Sequence, residues 1–291
     1  MKLLTDTQVT HFLDRGFIII QNCFSSEVAA EHLDFAFKRL GYDPEDPETW
    51  VEDRVHLPSM NRFPIREFAP TAWDAVCDLL GGEQRVIDPN AAWSDGFVIN
   101  FSVGADRPWE PPSAHIKGWH KDGDFFKHFL NSPEQGLLSL VIWSDILPKS
   151  GGTFVACDSV KPIAKMLADH PEGLLPGAGF GAQAHACSDF IEITGKVGDV
   201  VLLHPFILHS QSQNPSSRPR FVTNPPVALK EPMCFNRGDG DYSPVEQSVL
   251  NALGVEKYDF VQTAPFERLH PERERIQASM LEEEKERLME T

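Results

Sequence analysis

The apolar stretches between Phe97 and Leu229 are all seven residues or shorter, and Gly or Pro separates each from the next. They are Phe97–Val103, Leu137–Trp143, Thr153–Ala156, Ile191–Thr194, Val200–Leu203, Phe221–Thr223 and Val227–Leu229. Stretches this short read as buried strands. Short strands at regular spacing with Gly/Pro turns point to a double-sheet jelly roll or a barrel. One helix, near Pro162–Asp169, interrupts the series.

Helical signals flank this region. Thr5-x-x-Gln8 is a capping box that opens a helix ending near Arg15, before Gly16. Phe17–Ile20 follows as a buried strand. Ser25 or Ser26 starts a second helix, with Ala29, Leu33, Phe37 and Leu40 at helical spacing and Gly41 as its stop. A third helix is expected over Ala69–Leu80. Asp43–Arg66, rich in Pro and carrying Arg54, Arg62 and Arg66, is expected to be a long loop or substrate lid. Ser243, Pro244 and Gly254 bound a later helix. Residues 271–291 hold seven Glu and four Lys/Arg, which predicts a solvated helix with pairs such as Glu283–Arg287. No boundary splits the chain. The expectation is one domain over 1–291: a helical part to residue 82, a strand core over about 86–230 and a helical extension over 243–291.

Charge and cysteine content narrow the function. Lys and Arg number 26 against 43 Asp and Glu, a net charge of −17. That balance disfavours nucleic acid and anionic membranes as partners. The polar Thr5–Gln8 follows Leu4 directly, so the first residues form no signal peptide, and no apolar run is long enough to span a bilayer. Five scattered cysteines without C-x-x-C form neither a disulfide framework nor a zinc site. The expected setting is cytoplasmic.

Chemistry concentrates in Trp119-His120-Lys121-Asp122. On a strand, residues two apart share a face, so His120 and Asp122 can bind one ion. A third ligand must come from a remote strand, and Gly198–His209 offers His204 and His209. Pro205 interrupts the ladder between them, so strand parity does not choose. Two His and one carboxylate leave coordination positions open, which suits non-haem Fe(II). Arg220, eleven residues after His209, can pair with a carboxylate in a two-pronged way.

Together these segments resemble the phytanoyl-CoA dioxygenase-like branch of the Fe(II)/2-oxoglutarate oxygenases. The likeness rests on Gly16–Ile20, on Trp119–Asp122, and on Gly198-Asp199-Val200 through Asn214 to Arg220, and spans about residues 5–230. It implies a double-stranded β-helix (a cupin-like jelly roll) with helices packed at both ends. It implies His120, Asp122 and His209 as iron ligands, Arg220 on the far carboxylate of 2-oxoglutarate, and O2 as co-reactant. Thr153 occupies a position where relatives place a hydroxyl near the cosubstrate, and an ordinary strand Thr is the other reading; Asn100 is a weaker candidate of the same kind. Lys117 stands where relatives often have Gln; it either reaches the cosubstrate or faces solvent. Asp122 is a carboxylate, where related halogenases have a small residue, so the implied chemistry is hydroxylation or another oxidation of an unactivated C–H, with release of succinate and CO2.

The substrate is read only as a small molecule. Phe125, Phe126, Phe129, Trp119 and Trp143 either line its pocket or pack the core. Competing readings are a jelly-roll binding protein without turnover and a cupin-type metalloenzyme that uses no 2-oxoglutarate. His115 and the other histidines (11, 32, 56, 128, 170, 185 and 270) read as structural or surface residues.

Overall fold

Local signals set the helix ends. In α1 (Asp6–Arg15) the Thr5 hydroxyl accepts from the Gln8 N–H, the Gln8 side chain accepts from the Thr5 N–H, and Gly16 closes the helix. Ser25 caps α2 (Ser26–Leu40), and Gly41 ends it. The short α3 (Ile65–Phe68) leads into α4 (Pro70–Leu80). Then come α5 (Val160–Ala168), α6 (Pro244–Leu253) and α7 (Glu272–Glu290). The structure, a computed structural model, describes residues 3–88 and 91–290. Met1 and Lys2, the start of the expected leaderless N-terminus, lie outside the described residues. No helix among those described is long and apolar enough to cross a membrane.

The strands are β1 (Phe17–Ile20), β2 (Arg54–His56), β3 (Arg62–Pro64), β4 (Ala92–Ser94), β5 (Val98–Asn100) and β6 (Leu137–Ile142). They continue with β7 (Thr153–Ala156), β8 (Phe190–Glu192), β9 (Val200–Leu203), β10 (Leu208–Gln211), β11 (Arg220–Thr223) and β12 (Pro226–Val227). The large sheet runs β1-β9-β6-β11-β5-β2, with β12 also against β6. A small sheet runs β10-β7-β8, and β3 pairs with β4. All these pairings are antiparallel.

One segment departs from the sequence expectation. The stretch expected as a lid loop supplies β2 and β3, and β2 forms the edge of the large sheet. Its short strands sit among prolines, which hid their alternation. The turn 195–199 carries the chain from the small sheet to the large one, because β8 pairs with β7 while β9 pairs with β1 and β6.

Register decides which residues share a face. Arg54 and Arg220 both lie opposite Asn100, and His56 and Val222 both lie opposite Val98. Directly paired residues point to the same side. One face of the large sheet therefore carries Arg54, His56, Val98, Arg220 and Val222 together. Beneath, Trp143 is fully buried, donates from its indole to Thr223 Oγ1 at 3.1 Å, and packs on Phe24, Phe68 and Phe97. Trp119 is likewise a packing residue, against Phe190. Both tryptophans are thus part of the core.

The C-terminal helix is more than the expected solvated face. Exposed pairs such as Arg275–Glu272 and Lys285–Glu282 do form. Glu284, however, is buried and pairs at 2.8 Å with the fully buried Arg39 of α2, which also meets Asp95 at 3.3 Å. This pair ties α7 to α2.

At the other end, Glu246 of α6 is buried and accepts hydrogen bonds from Arg85, Arg237, the Cys234 N–H and Ser243. Burial opposes its charge, but these donors hold the carboxyl down at about 2. A depressed folded-state pKa stabilises above the unfolded value and stops doing so as pH falls through the folded one. Urea unfolding of the wild type should show this contribution fading from about pH 4.3 to pH 2. Glu246→Ala should cost about 3–5 kcal/mol at pH 7. A loss under 1 kcal/mol would remove Glu246 as an anchor.

Candidate metal centre

His120 and His209 are held face to face by the backbone. Each residue's N–H donates to the other's carbonyl at 3.0 Å. This is an isolated bridge and not the longer strand expected around His120. It places the two rings 4.3 Å apart between centroids. His209 sits on β10, opposite Val155 of β7. Asp122 joins them: its Oδ1 is 3.4 Å from Nε2 of each histidine. Their three ligand atoms lie within 4.8 Å of one another, the only such group of three found among the described residues.

The remaining atoms of each ligand are used to aim it. The Nδ1 of His120 bonds the Gly118 carbonyl at 2.7 Å, and the Nδ1 of His209 bonds the Ile207 carbonyl at 3.5 Å. Both Nε2 atoms are thereby turned toward Asp122. Asp122 Oδ2 accepts from Asn224 Nδ2 at 3.0 Å, which leaves Oδ1 for an ion. Outer-shell bonds of this kind fix tautomer and ring direction in metal sites. After Asp122 the chain turns at Gly123, φ +117°, where a Cβ would stand 2.4 Å from the Phe126 ring. Asn224 reaches Asp122 from the break between β11 and β12, at Pro225, which has no N–H for the ladder.

Electrostatics favour a cation here. Burial works to raise the Asp122 carboxyl, but the His209 and His120 imidazoles hold it well below the usual carboxylate range. Burial works against a charged His120, yet Asp122 outweighs it and raises that histidine. The centre draws a proton in the place where a metal ion fits. His120 keeps a half-exposed side chain (52%), while Asp122 (21%) and His209 (10%) are enclosed, so the approach lies on the His120 side. Two nitrogens and one carboxylate oxygen gathered around one point suit a divalent ion with open positions.

His204 has another task. It is fully buried, its Nδ1 accepts from the Phe206 N–H at 3.1 Å, and its Nε2 lies 3.3 Å from the Val245 carbonyl. Burial lowers its pKa to about 3, so it is neutral. It builds the turn around Pro205 that moves the chain from β9 to β10 and delivers His209.

The triad opens into a cavity of about 540 Å³ lined from both sheets. Arg220 lines it, with only 4% of its surface exposed. Its Nε donates to the Gly151 carbonyl at 2.8 Å and its Nη1 to the Val98 carbonyl at 3.4 Å. No carboxylate pairs with it among the described residues. Burial, and then Arg54, push this guanidinium down to about 10. Thr153, on β7, lines the same cavity.

Other expected site residues lie elsewhere. Lys117 is exposed and does not line this cavity; it lines a neighbouring one beside Trp119 and His120. Asn100 is spent on structure: its amide donates to the Ser212 carbonyl and its oxygen accepts from the Val103 N–H. Of the phenylalanines, Phe125 lines the cavity; Phe126 and Phe129 are fully buried in packing.

Sequence reading missed His56 and Arg273 as wall residues, and had Arg54 only as part of a long loop or substrate lid. His56 and Arg54 arrive on β2, and Arg273 arrives on α7, ion-paired with Asp124 at 2.7 Å. Burial, with Arg273 and Arg54 adding to it, lowers His56 to about 4. Lys121 was legible only as the residue between two ligands. It is buried, donates to His128 Nδ1 at 2.9 Å, and packs its ammonium over the rings of Phe126, Phe180 and Phe206. Lys121 borders the cavity, but its ammonium is directed away from the triad, into this packed cluster.

No family model and no curated protein matches the chain. Solved structures that resemble it distantly include the epimerase SnoN in complex with Fe3+, alpha ketoglutarate and nogalamycin RO. That pair shows 17% identity and a TM-score of 0.44, over 75% of this chain and 81% of the other. HygX from Streptomyces hygroscopicus with nickel and 2-oxoglutarate bound shows 18% identity and a TM-score of 0.39, over 76% and 85%. EctD from S. alaskensis with 2-oxoglutarate and 5-hydroxyectoine shows 18% and 0.38, over 75% and 74%. Likenesses this distant decide no chemistry, and the site rests on its own residues.

The triad makes a direct prediction. In anaerobic titrations with Co(II), His120→Ala, Asp122→Ala and His209→Ala should each abolish stoichiometric binding. Asn224→Ala should weaken it roughly 10–100-fold. His204→Gln should lower the Tm and retain metal. Full metal affinity in Asp122→Ala would refute the assignment.

Proposed function

We propose that the chain is a non-haem Fe(II)/2-oxoglutarate-dependent oxygenase that hydroxylates, or otherwise oxidises, an unactivated C–H of a small molecule. The observation that carries this is a buried, acid-free guanidinium, Arg220, in the same cavity as a two-histidine, one-carboxylate centre. A buried charge without a partner is costly unless a ligand supplies the counter-charge. A dicarboxylate that chelates the metal at one end and meets Arg220 at the other satisfies both.

His120, Asp122 and His209 would hold Fe(II), and Arg220, with Thr153 beside it, would hold the far carboxylate of 2-oxoglutarate. When bound, these groups and O2 supply the oxidising chemistry, with succinate and CO2 as products. The protein's own work is placement. The Nδ1 bonds of the two histidines and the Asn224 bond to Asp122 keep the ligand atoms convergent. Leu138, Leu140, Leu203 and Val222 give the cavity an apolar wall that limits water. The two lining sheets fit a double-stranded β-helix, and the anchored terminal helices fit one domain over residues 1–291. Reduced, unpaired cysteines agree with a cytoplasmic setting, where iron stays ferrous.

Anaerobic titration of the Fe(II)-loaded protein with 2-oxoglutarate should produce a visible charge-transfer band. Arg220→Gln should weaken 2-oxoglutarate binding by about tenfold or more, a loss of at least about 1.4 kcal/mol, with metal stoichiometry unchanged. In air, His120→Ala should form no metal-dependent succinate. Wild-type protein that binds metal but no 2-oxoglutarate would exclude the proposal.

A further inference from the structure

Once the proposed iron and cosubstrate are assigned, two cations on the cavity wall have no acidic partner, Lys121 and Arg54. The charged side chains on its wall are Arg54, Lys121, Asp122, Asp124, Arg220 and Arg273. Arg273 is neutralised by Asp124 through two hydrogen bonds of 2.7 and 2.9 Å. The Lys121 ammonium is taken up by His128 and three phenylalanine rings that do not line the cavity. Asp122 and Arg220, with Fe(II) and the two carboxylates of 2-oxoglutarate, sum to zero. Arg54 remains.

The position of Arg54 is set by the sheet. It lies on β2 directly across from Asn100, which on its other side faces Arg220. The two guanidiniums thus stand on one face of the sheet, with β5 between their strands. Arg54 is exposed as well as lining the cavity, and among the described residues its side chain forms no ion pair or hydrogen bond, so its guanidinium is free to meet a ligand. A second unmet demand lies on the same wall. Gln135 is 2% exposed, and its side-chain oxygen is buried without a hydrogen-bond partner. Leu138, Leu140, Leu203 and Val98 line the same cavity.

We propose that the substrate of this site is a small molecule bearing an oxyanion, a carboxylate or a phosphate ester, which docks on Arg54 beside the metal. An N–H or O–H of the same molecule meets Gln135, and its body lies on the leucine wall. This rests on the oxygenase reading and names its substrate class. It also gives a protein with net charge −17 a locally basic pocket, where an anion is drawn in rather than repelled.

The test uses Ni(II)-loaded, 2-oxoglutarate-saturated protein, with binding read by ligand-observed NMR and calorimetry. The probes are small carboxylic acids and phosphate monoesters, each beside its neutral amide or parent alcohol. Anions should bind at least about tenfold tighter than their neutral partners, and the two anion arms show which group is preferred. Arg54→Gln should erase that difference, Arg54→Lys should restore part of it, and 2-oxoglutarate affinity should stay within about twofold. Binders indifferent to charge, or no anion bound while 2-oxoglutarate binds normally, would overturn the inference. So would a collapse of 2-oxoglutarate affinity in Arg54→Gln, which would make Arg54 a cosubstrate residue. Failure of wild-type protein to take up Ni(II) or 2-oxoglutarate would instead count against the oxygenase reading itself.

Discussion

The reciprocal backbone hydrogen bonds between His120 and His209 are the constraint on which the site depends. Residues 89 positions apart in the chain are locked at one spacing by two 3.0 Å bonds, before any side chain is considered. Each imidazole then uses Nδ1 on a carbonyl two residues earlier, and both Nε2 atoms fall beside Asp122. A side chain held by its own backbone loses little further entropy when an ion binds. That is how a half-exposed His120 can remain a directed ligand.

The cavity wall follows from register. Strands of the large sheet alternate, so one face gathers Arg54, His56, Arg220, Val98 and Val222, while Val55, Ile99 and Phe221 are buried on the other, Phe221 against Phe37, Phe97 and Phe101. The turn at His204 then moves the chain to the small sheet, which contributes His209 and Thr153. Gly151 fits this arrangement closely: its carbonyl holds Arg220, and a Cβ there would stand 3.0 Å from the Asn100 amide. Two sheets and one buried arginine are thus coupled through a single turn.

Much of this was legible in the sequence because it is local. The capping box at Thr5, the caps at Ser25 and Ser243 and the stop glycines at 16, 41 and 254 write helix ends within a few residues, and those ends are observed. The H-x-D spacing makes His120 and Asp122 neighbours on any extended backbone. Choosing His209 over His204 needed the resemblance, because Pro205 removes the parity that would decide it; hydrogen bonding of His204 within its turn now supplies a physical reason. What stayed hidden is non-local. Arg54 reaches the cavity by pairing with a strand over 40 residues away, and Arg273 by a helix that composition describes as solvated. Lys117 and Lys121 are both lysines in one polar segment, and only the fold separates the exposed one from the buried one.

The account's central claim is that one ion and one dicarboxylate share the cavity between His120 and Arg220. An anaerobic crystal structure with Mn(II) and 2-oxoglutarate tests it most directly. The account predicts a single ion on Nε2 of His120, Nε2 of His209 and Oδ1 of Asp122, chelated by 2-oxoglutarate whose far carboxylate meets Arg220. An ion held by other residues, or a cavity in which Arg220 meets no carboxylate, would contradict it.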